Sequence, residues 1–236
     1  MKIIGIIPAR YNSTRLLNKP LMKINNRPLI ELTYNAVCQS GLFDIIYIAT
    51  DSKKIQNIAS EFSPNCILTS KHNRNGTERC AELITKLNNK IDKNDIIVNI
   101  QCDEPFLEKL HFQKIIKLFD FNTQIGTLIS PIHKKELLDS SIVKVKNDKN
   151  LHVLDFSREN HLNQKSVYKH VGIYAYRKKT LLELAKLPLG KREKSESLEQ
   201  LRWLEYGYHI RCDFIKKNLI SINTEEDIKK VIENNR

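Results

Sequence analysis

The sequence predicts an α/β fold: a mainly parallel sheet flanked by helices, carried by one domain over residues 1–236. Three observations lead there. Short β-branched apolar runs recur from Ile3 to Ile132, as strands buried on both faces do. Segments with helical apolar spacing separate them. The pattern then changes to alternating strands, as an antiparallel part would.

Taken in order, "KIIGIIPAR" reads as a buried strand closed by a proline. A helix follows from about Pro28 to Ser40, with Gly41 as its stop. "DIIYIAT" (Asp44 to Thr50) is the second strand. Ser52 then caps a helix that carries Ile55, Ile58, Ala59 and Phe62 on one face. "CILT" is a third strand, Thr77 to Leu87 a helix, and "DIIVNIQ" (Asp95 to Gln101) a fourth strand. A helix over about Leu107 to Phe119 leads into the strand "IGTLISPI". "SIVKVKND", "LHVLDFSR" and "YKHVGIYAYR" are the alternating strands, within a part at about 140–178. Helical segments return from about Lys179 and from Glu196 to Tyr206. "YHIRCDFI" is the last strand, and "NTEEDIKKVIEN" is a capped helix with Ile228, Val231 and Ile232 inward.

A net charge of +12 and a pI near 9.4 suggest an anionic partner. Lysine and asparagine are abundant throughout, so compositional drift explains the excess equally well. No basic run is interleaved with aromatics, which argues against nucleic acid. Cys38, Cys66, Cys80, Cys102 and Cys212 are odd in number and scattered, without a C-x-x-C pair. They point away from a disulfide framework or zinc site and toward a cytoplasmic protein. No run is long enough for a membrane span or a signal segment.

Ligands of doubly wound sheets bind beyond the carboxyl ends of the strands. Two segments are expected there. The first, "PARYNSTRLLNK", puts Arg10, Arg15 and Lys19 on one loop, with Ser13 between them. Guanidinium groups clamp phosphate oxygens and an ammonium is a movable point charge. The loop is therefore either a phosphate cradle or a set of solvated cations. The second, "QCDEP", places Asp103 and Glu104 after a strand and before Pro105. Such carboxylates hold Mg²⁺ beside phosphates, or simply make a turn. Together the two segments compose an anion-plus-metal site.

"NGTERCAEL" opens a helix with Asn75, Gly76 and Thr77, whose amides could receive a polar ring edge or a carboxylate. It could equally be an ordinary capped helix. Arg79, disfavoured so near a helix start, is thereby pointed toward a ligand. In "SESLEQLRWLEYG", Leu198, Leu201 and Leu204 form a core stripe, while Glu196, Glu199, Gln200 and Arg202 read as surface or interface polar residues. His170, alternating with apolar residues, reads as structural.

The motifs "IIPARYNSTRLLNKPL", "IATDS", "NGTER", "VNIQCDEP", "ISPI", "VKVKND", "FSR", "KHVGIYAYR", "SESLEQLRWLEYG" and "INTEEDIKKV" occur in order over nearly the whole chain. They resemble the 3-deoxy-manno-octulosonate (Kdo) cytidylyltransferase family, the CMP-Kdo synthetases. The resemblance implies a Rossmann-like nucleotide-diphospho-sugar transferase fold with a smaller antiparallel dimerisation sheet, and a cytoplasmic homodimer. It implies that CTP and an acidic sugar, Kdo, give CMP-Kdo and pyrophosphate for lipopolysaccharide assembly, with Mg²⁺ as cofactor. By position, Arg10, Ser13, Arg15 and Lys19 would hold the triphosphate, and Ala9, Asn75 and Gly76 the cytosine or ribose. Arg10, Lys19 and Asp103 would be catalytic. Arg79, Gln101, Arg158, His170, Tyr174, Glu199 and Gln200 would surround the sugar acid, and Asp103 with Asn223 would hold the metal.

The chain departs from the family pattern at Asn223, where an aspartate is usual, and at Cys102, Asn73, Asn18 and Leu17. The loop after Arg158 is also short. These departures motivate two alternatives: transfer onto a related acid of the amino-Kdo type, or a nucleotide- or sugar-binding paralogue with weakened catalysis.

Overall fold

The apolar run after Lys2 becomes the central strand, β1 (Ile3–Ala9), because both of its faces are covered. Ile4 and Ile6 point into one apolar layer, Ile7 and Ala9 into the other. The computed structural model describes residues 1–11, 18–87, 90–120, 122–159, 167–216 and 219–234. Ser13 and Arg15 of the cationic loop lie outside the described residues.

Parallel pairing places β4 (Ile45–Thr50) on one side of β1 and β6 (Ile96–Ile100) on the other. β5 (Cys66–Leu68) pairs parallel with β4 at that edge. Beyond β6 come β10 (Val167–Arg177), β7 (Ile125–Ser130) and β11 (Ile210–Phe214). β10 runs antiparallel to both β6 and β7, while β11 is parallel to β7. One layer of helices contains α1 (Leu29–Ser40), α2 (Lys53–Ala59) and α4 (Lys109–Lys117). The other contains α3 (Gly76–Lys86), α6 (Lys178–Leu184) and α8 (Glu199–Glu205).

The expected antiparallel part exists, but its third strand is not separate. β10 is 11 residues long and serves two neighbourhoods. Its first residues pair with β8 (Lys144–Asn147), which in turn pairs with β9 (Val153–Ser157). Its later residues pass between β6 and β7. β7 pairs with β10 on both sides of a register shift between Val171 and Tyr174, which takes Gly172 out of regular pairing with β7.

Local chemistry sets the boundaries. Ser52 caps α2 by accepting from the Ile55 amide, and Gly41 ends α1 at φ 66°. Two features differ from the sequence reading. A hairpin joins β2 (Lys23–Ile24) to β3 (Arg27–Pro28), because Asn25 and Asn26 adopt φ of 50° and 66°. The single helix expected over Glu196 to Tyr206 is broken by Ser197 at φ 53°, between α7 (Lys191–Glu196) and α8. Short α5 (Lys134–Leu137) follows β7, and α9 (Glu225–Asn234) closes the chain. α9 packs with Ile222 on Ile24 and Leu29, forming a small third core. No helix among the described residues is long and apolar enough to cross a membrane.

Candidate active site

The carboxyl ends of β1 and β6 lie side by side, since Ile6 is in register with Asn99. The loops leaving these two strands therefore face each other. After β1 the chain returns through a 3-10 turn, Lys19–Leu21, entered by Asn18 at φ 56° with Pro20 inside it. This turn aims Lys19 at the loop after β6. Its Nζ lies 2.5 Å from Asp103 Oδ2 and donates at 3.4 Å to Asn223 Oδ1. Asn223 arrives from the segment after β11, whose Ile222 amide donates to the Asp103 carbonyl at 2.9 Å. Positions 19, 103 and 223 thus meet at one point.

A cavity of about 1130 Å³ opens over these strand ends. Arg10, Asn75, Gly76, Arg79, Gln101, Asp103, Arg158, His170, Tyr174, Glu199, Gln200 and Asn223 all line it. Arg10, just after β1, and Asp103, on the loop after β6, therefore face the same space.

At one end, Asn75 caps α3 by accepting from the Glu78 amide at 2.9 Å. A Cβ on Gly76 would sit 2.9 Å from Gln101 Nε2 and 3.3 Å from Pro8 Cγ, so a larger residue there would push the Gln101 side chain aside. Gln101 is oriented by its bond to Asn99 Oδ1 at 3.0 Å. Ala9 is buried in the opposite layer, and its neighbour Pro8 is the residue on the cavity wall. Arg79 lines the cavity and is also bonded within the protein. Its guanidinium donates to Asp51 at 3.0 Å, Thr69 Oγ1 at 2.7 Å and the Ser70 carbonyl at 3.3 Å. The charge so close to a helix start is neutralised by Asp51 at the end of β4. Asp51 also accepts from the Tyr11 amide at 2.9 Å, tying the β1 loop to α3. The sequence signal for Asp51 was its place directly after a strand, in "IATDS".

The other end is enclosed and aromatic. His170 on β10 packs edge-on to Phe156 and 5.0 Å, centroid to centroid, from Tyr174. Its Nε2 lies 3.0 Å from Thr127 Oγ1, while that hydroxyl donates its proton to the Ile173 carbonyl. Nε2 is therefore the donor and Nδ1 the acceptor. Burial pushes the His170 pKa down to about 3, so the ring is neutral. Tyr174 stands against Trp203 with ring centroids 5.1 Å apart. Its hydroxyl and Glu199 Oε2 are buried without a hydrogen-bond partner among the described residues. Burial pushes the Glu199 pKa up to about 7. Arg158 is held by its own surroundings: Nε donates to the Glu196 carbonyl at 3.0 Å and Nη1 to the Ser140 carbonyl at 3.1 Å.

Two residues have roles the sequence did not reveal. Arg202, read as a surface charge, is fully buried, 3.2 Å from Glu193 and 3.7 Å from Glu78. It joins the first turn of α3 to α7. Glu104 is only 4% exposed, and burial, followed by the charge of Asp103, pushes its pKa up to about 7.

Comparisons with known proteins agree with this geometry. A family model described as cytidylyltransferase matches residues 4–222. The chain is 40% identical to a 3-deoxy-manno-octulosonate cytidylyltransferase of Parabacteroides distasonis, covering 98% of this chain and 97% of the relative. It is 36% identical to an 8-amino-3,8-dideoxy-manno-octulosonate cytidylyltransferase of Shewanella frigidimarina, covering 98% and 97%. Among solved structures, a CMP:2-keto-3-deoxy-manno-octonic acid synthetase complexed with CTP superposes with a TM-score of 0.89 at 32% identity, covering 99% of this chain and 98% of that one.

Proposed function

Since the chain belongs to the 3-deoxy-manno-octulosonate cytidylyltransferase family, we propose that it transfers CMP from CTP to the anomeric hydroxyl of Kdo and releases pyrophosphate. The observation that carries this reading is the meeting of Lys19 with Asp103 and Asn223, the latter two lining a cavity. One end of that cavity offers the start of α3, and the other offers buried hydrogen-bonding groups.

The hydroxyl oxygen attacks the α-phosphorus and gives up its proton to solvent as the bond from that phosphorus to the oxygen bridging to the β-phosphate breaks, so pyrophosphate leaves with that oxygen. Such transfer is mostly positioning and charge neutralisation. Arg10 and Lys19 neutralise the triphosphate, Lys19 facing the charge that grows on the departing pyrophosphate. Asn75 and Gly76 receive the nucleoside. His170, Tyr174, Glu199 and Gln200 orient the sugar acid, and their enclosure excludes water from the attack. Asp103 and Asn223 supply a carboxylate and an amide oxygen within reach of one ammonium, hard donors that suit Mg²⁺. When bound there, Mg²⁺ adds Lewis-acid charge neutralisation at the phosphates.

The product serves lipopolysaccharide assembly in the cytoplasm. The protein works as a homodimer joined through the β8–β9 part, where Leu154 is 53% exposed. The 8-amino relatives support a second reading, the same transfer onto an 8-amino sugar acid. A pyrophosphate-release screen with CTP, Mg²⁺ and both acids tests the assignment. Release with Kdo is expected, release only with the amino sugar selects the second reading, and release with neither overturns both.

A further inference from the structure

The segment that brings Asn223 to the site has little regular structure of its own, yet it is fastened tightly. Lys169 Nζ donates to the Leu219 carbonyl at 3.3 Å, Ser221 Oγ to Glu104 Oε1 at 2.6 Å, and the Ile222 amide to the Asp103 carbonyl at 2.9 Å. Two of these bonds end on the loop after β6. The bond to Glu104 is the one made by a buried carboxylate.

The same oxygen, Oε1, also accepts from the Gly172 amide at 3.1 Å. That amide is available because β10 loses its regular pairing between Val171 and Tyr174. A Cβ at position 172 would lie 2.7 Å from Oε1, so only glycine permits the approach. The Gly172 carbonyl in turn accepts from the Gln101 amide at 3.2 Å. One carboxylate oxygen thus joins the bulge of β10, the loop after β6 and the segment after β11. None of its partners is a reacting group, and its neighbour Asp103 faces Lys19.

We propose that Glu104 is a positioning residue: by clamping Ser221 and Gly172 on one oxygen, it sets Asn223 opposite Asp103 and Lys19. The seat of the clamp at Gly172 is fixed by the sheet, so a lost Ser221 bond loosens the segment and leaves the strands in place. Asn223 then loses its register against Lys19, and the triphosphate end is incomplete at the moment of transfer. The consequence for turnover rests on the cytidylyl-transfer reading. The consequence for the segment does not.

Ser221→Ala removes the clamp's partner without touching Glu104, and Ser221→Thr keeps the hydroxyl. In the unliganded full-length protein, amide exchange over residues 219–223 is expected to quicken about tenfold in Ser221→Ala, with β1 and β6 still protected. In steady-state assays kcat falls about tenfold while KM for CTP stays within about threefold, and Ser221→Thr restores both exchange and kcat. Unchanged exchange overturns the clamp. Faster exchange with unchanged kcat overturns the positioning role. If the wild-type chain releases no pyrophosphate with any acid, the transfer reading fails, and the exchange measurement still decides whether Glu104 holds the segment.

Discussion

The two ends of the cavity hold their polar groups in opposite ways. At the triphosphate end, Lys19, Asp103 and Asn223 are partly exposed and already bonded to one another. At the sugar end, Tyr174 and Glu199 present buried polar atoms without partners among the described residues, and His170 is neutral. The first end is an ion pair that, under the proposed transfer, a ligand would divide: phosphate would take the ammonium, and a cation the carboxylate. The second end is a shaped, low-dielectric surface whose unpaired groups await hydrogen bonds. The proposed function therefore assigns binding and catalysis to charge at one end, and selectivity to hydrogen-bond matching at the other.

Substitutions can break this contrast. The largest effect belongs to the charged end. Lys19→Ala should lower kcat by about a hundredfold or more, read by pyrophosphate release, because it removes a preorganised charge facing the leaving group. An unchanged rate would take Lys19 out of the mechanism. At the enclosed end, Tyr174→Phe should raise KM for the sugar acid about tenfold and leave KM for CTP unaltered. The same variant should melt no lower than wild type, since the lost hydroxyl has no partner to miss. A higher KM for CTP instead would mean that the two ends are not separate.

The smallest effect concerns pH. Burial holds the folded His170 pKa near 3, below its unfolded value, so the unfolded chain binds the extra proton between those two values. This contribution to stability is present above about pH 6.5 and is lost as pH falls toward 3. Glu199 acts with the opposite sign. Its folded pKa, raised to about 7, makes its contribution full below the unfolded carboxyl range and lost as pH rises toward 7. His170→Gln keeps a donor for Thr127 but cannot titrate. Denaturant unfolding of this variant should show a flatter loss of stability in acid. An unchanged slope would show that His170 is not held neutral.

Much of the fold was legible because strands and helices announce themselves locally, through β-branched runs, the Ser52 cap and the Gly41 stop. Asp103 and Lys19 were legible as one site because each lies on a loop that leaves a strand of a parallel sheet. The parts that stayed hidden depend on partners distant in sequence. Arg202 reads as surface until Glu78 and Glu193 enclose it. Arg79 reads as a ligand contact, and its pairing with Asp51 becomes visible only in the fold. The role of Glu104 requires a bulge in β10 and a serine near the end of the chain. A period-2 pattern cannot reveal that β10 enters the main sheet, because an antiparallel neighbour alternates identically in either place.

The most direct measurement is a crystal of the protein grown with CTP and Mn²⁺ in place of Mg²⁺, read by anomalous scattering. An anomalous peak against Asp103, with the triphosphate between it and Lys19 and the cytosine toward Asn75 and Gly76, is the expected result. A nucleotide or metal bound away from Lys19 and Asp103 would contradict the assignment of this cavity as the active site.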